Sequence, residues 1–466
     1  MEFLLAIIII AAVFLFLGLC ILVHEFGHLL VGLWRGLHVE RFSIGFGKKL
    51  WGFERNGVEY RVSVLPFGGY VALPQLEPTK TPTAEDGTPL PEAKPFDRIL
   101  TAVAGPIANI IFGFLLGSIV WFAGVQRSQT LSSFEVYSVE ESSPEYEAGL
   151  RPGDHILQVN GESVEGSWEG LMQNIALAKG QVELRIERGD TTETITYMPA
   201  ENPDYEGLGF PFFEVKTPVE ILMVNPGSPA ERAGLQKGDR ILAVNGEPVQ
   251  NTISFLESMW NTEGEPVDIT VRREGQELVV SGIRGEKTLL EGEVRYLIGV
   301  VPGEPMVMKH LSPWWQFKNV LKTTGNTLGA LFSSKSLVKP KHMSGPVGII
   351  QMNYLTVRHR GWRQGLFFVV FVSFSLALFN LLPFPVLDGG HIMFGLFEML
   401  TPWRVPEKVA YYIQATFAVA LITLMLYVTF FDVRRVTRGF FNGEEGGAAQ
   451  TEQSEEPAPT PSTSPN

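Results

Sequence analysis

The stretch that decides the fold is His24-Glu25-Phe26-Gly27-His28, which directly follows an uncharged apolar run over residues 3–23. A run of about 20 apolar residues can cross a bilayer as a helix. On a helix, positions four apart share one face, so the two histidines can direct their imidazoles at one metal ion with Glu25 beside them. Ionisable side chains at membrane depth are costly and usually functional. The pattern therefore predicts a hydrolytic metal site at the end of a membrane span.

The composition indicates membrane spans that alternate with soluble domains. The 466-residue chain has a mean hydropathy of +0.12, and its apolar residues are concentrated in runs. Cys20 is the only cysteine, so no internal disulfide can form. A net charge of −13 argues against nucleic acid as a partner. Because the N-terminus lacks the basic region and cleavage site of a secretory signal peptide, we interpret the first run as a retained span.

Four apolar runs predict a polytopic α-helical membrane protein with four transmembrane helices. Glycine and proline interrupt the helix at the end of the third run. Broken backbone at membrane depth is tolerated only inside protein or beside a water-filled cavity, which suggests that this end has a function. The predicted membrane segments are 1–33, 98–126, 366–391 and 408–432, and a disordered tail rich in Glu, Pro, Ser and Thr is predicted over 443–466.

Basic residues predict how the spans are oriented. The loop over residues 34–97 carries eight lysines and arginines, which places it in the cytoplasm. The segment between the second and third spans then lies outside, as do both termini. Arg434, Arg435 and Arg438 follow the fourth span and disagree with this orientation. The early loop takes precedence because the first helices usually determine topology.

The segment between the second and third spans repeats itself. Residues 143–164 align without gaps on residues 228–249, with 14 identities in 22 positions. Such self-similarity marks two copies of one module. The copies, 131–214 and 215–303, resemble tandem PDZ domains of the circularly permuted bacterial kind.

A peptide-facing loop is expected in each module, at Leu208-Gly209-Phe210 in the first and Ile298-Gly299-Val300 in the second. PDZ grooves take peptides by adding them as a strand, so peptide C-termini could bind there. The alternative is that the grooves stay empty and the modules act as bulky covers.

The cytoplasmic loop predicts a membrane-associated β-hairpin. Polarity alternates on both sides of Asn56-Gly57, a pair that favours a tight hairpin turn. The glycine-rich strand Gly45-Phe46-Gly47 precedes the turn. Its edge could hold an extended substrate by backbone hydrogen bonds, whereas the alternative is a structural sheet that touches the membrane surface.

A hydrolytic zinc site needs three protein ligands and one open position. His24 and His28 supply two ligands, and Asp388, at the broken end of the third span, is the predicted third. His391 is the rival candidate, to which we assign either an outer-shell role or a structural one. Glu25 is predicted to take a proton during hydrolysis and to deliver one to the leaving amine.

Taken together, these motifs resemble the site-2 protease family of intramembrane zinc metalloproteases. The resemblance rests on His24-Glu25-x-x-His28, on Asn380-x-x-Pro383-x-Pro385-x-x-Asp388-Gly389, on the Gly45-Phe46-Gly47 strand and on the tandem PDZ repeat. It covers the chain apart from the acidic tail, whose role it leaves open.

The resemblance implies roles for particular residues. A Zn²⁺ cofactor would be held by His24, His28 and Asp388, with Glu25 as the general base. The implied substrate-binding residues are Asn380, Pro383, Pro385, Gly45, Phe46 and Gly47.

The resemblance also implies a cellular setting. The protein would lie in the bacterial inner membrane, with its PDZ domains and both termini in the periplasm and its zinc site toward the cytoplasm. Its partners would be membrane lipid and single-pass transmembrane substrates already trimmed outside, such as anti-sigma factors and signal-peptide remnants in an envelope stress response.

Two other classes of function stay open at this point. A membrane-anchored PDZ scaffold with an inactive protease core would be expected to have lost one of the three ligands or Glu25. A metal transporter could place histidine and aspartate within its spans but needs no peptide-binding modules.

Residues 304–365 form an amphipathic connector, in which residues 314–331 and a stretch beginning at 344 could lie on the outer membrane surface.

Overall fold

The computed structural model describes residues 2–76, 82–164, 166, 168–290, 293–401 and 405–451. Its residues group into two compact units. The first unit draws on residues within 1–126, 308–328 and 343–432, and the second on residues within 127–307, 329–342 and 433–466.

The helices are α1 (Glu2–Trp34), α2 (Pro95–Ala123), α3 (Pro144–Glu147), α4 (Trp168–Ala176), α5 (Pro229–Ala233), α6 (Thr252–Trp260), α7 (Pro313–Leu331), α8 (Pro346–Arg360), α9 (Trp362–Asn380), α10 (Asp388–Leu400) and α11 (Glu407–Thr451). Short 3₁₀ turns cover Pro74–Leu76, Pro203–Tyr205 and Pro340–His342.

The strands are β1 (Arg41–Arg55), β2 (Val58–Ala72), β3 (Val125–Ser128), β4 (Phe134–Val139), β5 (His155–Val159), β6 (Glu162–Ser163), β7 (Val182–Arg188), β8 (Thr191–Tyr197), β9 (Phe213–Val215), β10 (Val219–Val224), β11 (Arg240–Val244), β12 (Glu247–Pro248), β13 (Val267–Arg273), β14 (Gln276–Ile283), β15 (Glu286–Leu290), β16 (Glu293–Leu297), β17 (Val300–Gly303) and β18 (Met306–Lys309).

Within the described residues, four helices are long and apolar enough to cross a membrane, as the sequence predicted. Their apolar spans are Ala6–Trp34, Pro95–Ala123, Trp362–Asn380 and Glu407–Thr437. The His-Glu-x-x-His motif lies inside the first of these helices.

The third predicted membrane segment, 366–391, differs from the structure because it is not one helix. Helix α9 ends at Asn380, and residues 381–387 are non-helical before α10 begins at Asp388. Pro383 and Pro385 lie in this break, and proline lacks the N–H group that a continuing helix requires.

Glycine residues allow the chain to turn sharply into α10. A Cβ atom on Gly389 would collide with the carbonyl oxygen of Leu382, and one on Gly390 would collide with the carbonyl oxygen of Phe384. The Asp-Gly-Gly sequence therefore places Asp388 in the first turn of α10, directly beside the break.

Helix α10 is held against α2. Arg98 of α2 forms a largely buried ion pair with Glu398 of α10. The helices approach closely at Gly395, where an added Cβ would meet the side chain of Ile99. These contacts fix the helix that carries Asp388.

The predicted hairpin of β1 and β2 is present. The C-terminal part of β2 folds back onto the other edge of β1, so the sheet has three strands. Residues 41–44 of β1 pair with residues 59–62 on one side and with residues 69–72 on the other. The Asn56-Gly57 turn has φ values of 51° and 77°, the left-handed conformations that a tight hairpin turn needs.

The second unit contains two modules of identical topology. Their strand orders are β8-β7-β5-β4-β9 and β14-β13-β11-β10-β17, with β6 and β12 paired to β5 and β11. Each module has its own core of buried aliphatic side chains, such as Ile156 and Leu184 in the first and Ile241 and Ile269 in the second. The sequence repeat thus folds as two copies of one unit.

Strand register corrects the predicted peptide-facing loop of the first module. Val136 pairs with Val215, and its equivalent Ile221 pairs with Pro302. Val136 and Ile221 are 85 residues apart, whereas their pairing partners Val215 and Pro302 are 87 residues apart. Residues 298–300 of the second module therefore correspond to residues 211–213 of the first. Leu208-Gly209-Phe210, the segment predicted from its composition, lies three residues too early, because composition does not determine strand register.

Two further segments can be compared with their predictions. The connector over 304–365 contains α7 and α8, which coincide with the two predicted amphipathic stretches, residues 314–331 and the stretch beginning at 344. The predicted disordered tail over 443–466 overlaps α11, which continues to Thr451, while residues 452–466 lie outside the described residues.

Candidate metal centre

Two histidines and one carboxylate meet in the first unit. His24 and His28 lie one turn apart on α1, and Asp388 begins α10. The Nε2 atom of His24 is 3.0 Å from Asp388 Oδ2, and that of His28 is 3.4 Å from Asp388 Oδ1. One ligand atom from each residue lies within 4.8 Å of the other two. Three side chains in this geometry can hold one metal ion.

The donor set fits Zn²⁺. Two imidazole nitrogens and one carboxylate are the ligands of many hydrolytic zinc sites, which leave a fourth position open. Both histidines are buried, with 6% of their surface exposed. Burial keeps the imidazoles oriented and limits competition by bulk water.

A backbone carbonyl orients His28. Its Nδ1 atom lies 2.8 Å from the carbonyl oxygen of Thr101 on α2. When Nδ1–H donates to this oxygen, the lone pair of Nε2 is left for a metal ion, which is the usual outer-shell arrangement of a ligating histidine.

Asn109 of α2 lies beside the ring of His24. Its side-chain amide lies 3.4 Å from His24 Nδ1, and its Oδ1 atom is buried without a hydrogen-bond partner among the described residues. Rotation of the amide brings Oδ1 to Nδ1, where it accepts the Nδ1–H and leaves Nε2 for the metal. The unpaired oxygen is thus satisfied in the tautomer that zinc binding requires.

The segment around Asn109 is fixed by helix packing. Ser373 Oγ of α9 donates to the carbonyl oxygen of Asn109 at 3.1 Å. The next residue of α9, Phe374, is fully buried against Gly113 and Phe114 of α2. Sequence reasoning missed Asn109, although a strongly polar amide inside an apolar span was an available signal.

Gly105 lets α2 approach the histidines. A Cβ atom there would collide with Nε2 of His28 and would lie 2.9 Å from Cε1 of His24. On the facing helix, a Cβ on Gly27 would collide with the carbonyl oxygen of Ala104. Helices α1 and α2 therefore touch almost backbone to backbone at the metal centre.

We expect Gly105→Ala to weaken zinc binding, because the methyl group must displace the His28 ring. Overpacking of this kind costs about 1–3 kcal/mol, which corresponds to roughly 5- to 150-fold in affinity. Zinc content after dialysis against a zinc buffer measures the effect. Gly18→Ala on α1 is the matched control, since its Cβ would meet nothing within 4 Å. Equal zinc retention by both variants would contradict the packing argument.

Glu25 connects the metal centre to the sheet. Its Oε2 atom accepts a hydrogen bond of 3.1 Å from the backbone N–H of Val71, in the returning part of β2. The same strand approaches closely at Gly69, where an added Cβ would lie 3.8 Å from Glu25 Cγ. The outer strand of the sheet therefore runs past the predicted base, a contact that the sequence did not indicate.

The predicted substrate-binding residues lie on two sides of this centre. Asn380 ends α9, and Pro383 and Pro385 lie in the break that leads to Asp388. On the other side, Phe46 stacks on Tyr70 with ring centroids 5.9 Å apart.

The Gly45-Phe46-Gly47 segment is kinked. Gly45 and Gly47 have φ values of 84° and 90°, so regular pairing is interrupted around Phe46. A Cβ on Gly68 would meet the Phe46 ring at 3.0 Å and Ile21 at 3.9 Å. The kink therefore lies close to α1, one turn before His24.

His391 does not join the metal cluster. It lies one turn after Asp388, and its Nδ1 atom is 3.2 Å from the carbonyl oxygen of Leu76. This contact joins α10 to the 3₁₀ turn that follows the sheet.

Comparison with known proteins identifies the family. The model of peptidase family M50 matches residues 12–424. The chain belongs to peptidase family M50. Its site-2 protease resemblance is thereby confirmed.

Curated M50 relatives match nearly the full length. Protease RseP of Yersinia pestis is 30% identical over 465 residues, covering 91% of this chain and 98% of that protein. Regulator of sigma-E protease RseP of Escherichia coli K12 is 29% identical, covering 90% and 97%. A protein of Neisseria meningitidis serogroup A named as a zinc metalloprotease is 31% identical, covering 89% and 96%. The M50 chain is thus similar to regulator of sigma-E proteases throughout.

One solved structure that is similar to part of the M50 chain is a PDZ domain. The PDZ domain of the SdrC-like protein from Listeria monocytogenes is 21% identical and covers 19% of this chain and 90% of that domain, with a TM-score of 0.16. A similarity at this level adds nothing to the topology described above.

Membership of family M50 establishes the type of activity. The protein is a zinc metalloprotease of the site-2 type, and its cofactor is Zn²⁺. The enzyme and cofactor predictions are confirmed.

Proposed function

We propose that this M50 protease cleaves peptide bonds within or near transmembrane segments of single-pass proteins that have already been trimmed outside. The observation that carries the proposal is the cluster of His24, His28 and Asp388, with Glu25 next to His24, inside an apolar span. Relatives named regulator of sigma-E protease support a substrate that controls a sigma factor. The proposed substrates are therefore anti-sigma factors, and also signal-peptide remnants, within an envelope stress response.

His24, His28 and Asp388 are the proposed zinc ligands. When bound, Zn²⁺ supplies Lewis acidity, which polarises the scissile carbonyl and makes a water molecule more acidic. The protein's own contribution is orientation: Thr101 and Asn109 hold the imidazoles so that each Nε2 faces Asp388. Close packing of α2 at Gly105 limits the movement of both rings.

Glu25 is the proposed general base. Its carboxylate takes the proton of the attacking water and then delivers it to the departing amine nitrogen, so the carboxylate is regenerated in each cycle. The Val71 N–H steadies one carboxylate oxygen. Because that N–H belongs to the sheet, movement of the sheet and positioning of the base are coupled.

The sheet and the break between α9 and α10 are proposed to hold the substrate as an extended strand. The outer strand, residues 69–72, pairs with β1 along one edge. The backbone N–H of Val71 in this strand donates a hydrogen bond to Glu25. A peptide that lies beside Gly45-Phe46-Gly47 and the Asn380–Asp388 segment would pass between them. An unwound backbone is also the form that a protease must cut.

Phe46→Pro tests substrate handling. Proline cannot donate a ladder hydrogen bond, so cleavage of a transmembrane substrate in detergent should fall about tenfold, since one hydrogen bond contributes roughly 1 kcal/mol and the kink is also disturbed. Zinc content should stay unchanged, because Phe46 does not contact the ligands. Leu50→Pro, further along β1, is the control. Equal cleavage by Phe46→Pro and wild type would remove this segment from the mechanism.

The orientation is proposed from the basic loop that follows α1. That loop places the sheet and the zinc site toward the cytoplasm and the two repeated modules in the periplasm of the inner membrane. The four apolar helices of this chain and its near full-length similarity to regulator of sigma-E protease RseP of Escherichia coli K12 support a location in the membrane. Accessibility of single cysteines introduced on each side to an impermeant thiol reagent would test it.

The two modules are proposed to be tandem circularly permuted PDZ domains with unequal roles. In the first module Pro211 has no N–H, and the carboxyl of Glu145, a buried residue whose pKa is raised by burial, lies next to the backbone of Phe212. The second module has Ile298 and Gly299 at these loop positions and Ala230 in place of Glu145.

This difference makes the second groove the candidate for a peptide C-terminus and the first module a cover. A cover would exclude substrates that still carry a folded outer domain. Cleavage of one substrate with and without that domain, by the full-length protein and by a variant lacking residues 131–302, distinguishes exclusion from peptide binding.

A further inference from the structure

A cavity of roughly 190 Å³ lies in the first unit where α2 has ended and α9 begins. Arg360 and Arg363 line it, together with Trp362, Gln364 and Gln126. None of its described lining residues is acidic. The cavity is remote in sequence from the zinc motif and belongs to no part of the proposed catalytic machinery.

The N-terminus of α9 opens into this cavity. Helix α9 has 19 residues, its N-cap is Gly361, and no side chain caps its first N–H groups. Its first turn contains no acidic residue. An uncapped helix N-terminus carries partial positive charge and free N–H donors, which together favour an anion.

Gln364 supplies a second, independent observation. Its side chain lines the cavity and is buried, with 7% of its surface exposed. Its Oε1 atom has no hydrogen-bond partner among the described residues. Buried amides are normally hydrogen-bonded, so this group calls for a polar ligand in the cavity.

The surrounding sequence has an unusual charge. Residues 305–387 contain six lysines and three arginines but no aspartate or glutamate, in a chain whose net charge is −13. In the proposed orientation residues 305–363, which contain all nine of these basic residues, lie on the outer side, where the positive-inside rule does not favour them. An anionic partner at the membrane surface would account for the two arginines that line the cavity, Arg360 and Arg363.

We propose that the cavity binds the phosphate group of a phospholipid headgroup. Arg360 and Arg363 would contact the phosphate oxygens, and the first N–H groups of α9 would face the same charge. The Gln364 amide would hydrogen-bond to the headgroup. Trp362, which is 60% exposed and lies 5.7 Å below the Arg363 guanidinium, would rest at headgroup level, where tryptophan is enriched.

Lipid binding to the delipidated full-length protein tests the proposal. Native mass spectrometry would compare phosphatidylglycerol, phosphatidylethanolamine, diacylglycerol and inorganic phosphate as ligands. Both phospholipids should bind one copy per chain, whereas diacylglycerol, which lacks the phosphate, should not. Equal retention of diacylglycerol would show that only the acyl chains are held and would overturn the proposal.

Charge-matched variants separate the cavity from general attraction. Arg360→Gln with Arg363→Gln should weaken phospholipid binding about 30-fold, as expected when two basic residues near a phosphate are lost. Lys318→Gln with Lys322→Gln on α7 removes the same charge outside the cavity and should have little effect. Equal weakening by both pairs would contradict a specific site.

Two further readouts complete the design. Unchanged zinc content in both double variants shows that they are folded. Inorganic phosphate, added at the same concentration as the phospholipid, should not displace the bound phospholipid. Displacement would assign the cavity to free phosphate and overturn the lipid as its source.

Discussion

Glu25→Gln is expected to retain about one zinc ion per chain while peptide hydrolysis falls roughly 10²–10⁴-fold. Glutamine has almost the same shape as glutamate, and its amide oxygen can still accept the N–H of Val71. The sheet and the helix should therefore keep their contact. What glutamine cannot do is take up the proton of water or pass one to the leaving amine.

The measurement combines zinc analysis with cleavage of a transmembrane substrate in detergent. Glu54→Gln, an exposed change in β1, removes an equal charge and should leave the cleavage rate unchanged. Turnover by purified Glu25→Gln at the rate of wild type would show that this carboxylate is not the base. Loss of zinc together with activity would instead indicate that Glu25 supports the metal.

Sequence patterns predicted the parts of the fold that depend on local order. The apolar run before His24 predicted α1, the Asn56-Gly57 pair predicted the hairpin turn, and the 85-residue offset predicted two equal modules. Each of these features follows from residues close together along the chain.

The proposed third ligand could also be located from local chemistry. Pro383 and Pro385 break the helix, and the glycines after Asp388 permit the sharp turn into α10. A carboxylate beside broken backbone inside a membrane protein needs a polar partner. The structure provides that partner in His24 and His28.

Features that depend on packing between helices could not be predicted in this way. Thr101, Gly105 and Asn109 face the histidines only because α2 lies against α1, which no single-sequence pattern encodes. The return of β2 to the far side of β1, and with it the contact between Val71 and Glu25, has the same origin.

The module loop shows how a local pattern can mislead. Leu208-Gly209-Phe210 has the expected composition, but strand pairing assigns the position to residues 211–213. Pairing is a long-range property, and the local Leu-Gly-Phe composition does not reveal it.

Asp388→Ala and His391→Ala should have opposite effects on zinc. Asp388 lies 3.0 Å and 3.4 Å from the two imidazole nitrogens, so its removal deletes one of three proposed ligands. His391 contacts the carbonyl oxygen of Leu76 instead and lies outside the cluster. Loss of an outer-shell partner costs about 10- to 100-fold in metal affinity, and loss of a ligand should cost more.

The decisive measurement is therefore zinc affinity, determined by competition with a chelator of known strength. Asp388→Ala should bind zinc well over 100-fold more weakly and lose hydrolysis, whereas His391→Ala should keep its zinc within the outer-shell range. Asp388→Asn preserves the shape of the side chain without its charge, so an affinity between those of wild type and Asp388→Ala is expected. The reverse order, with zinc lost in His391→Ala and kept in Asp388→Ala, would make His391 the ligand. In that case α10 would have to slide along its axis by nearly one turn to bring His391 to the position that Asp388 occupies, and the ion pair between Arg98 and Glu398 would have to break.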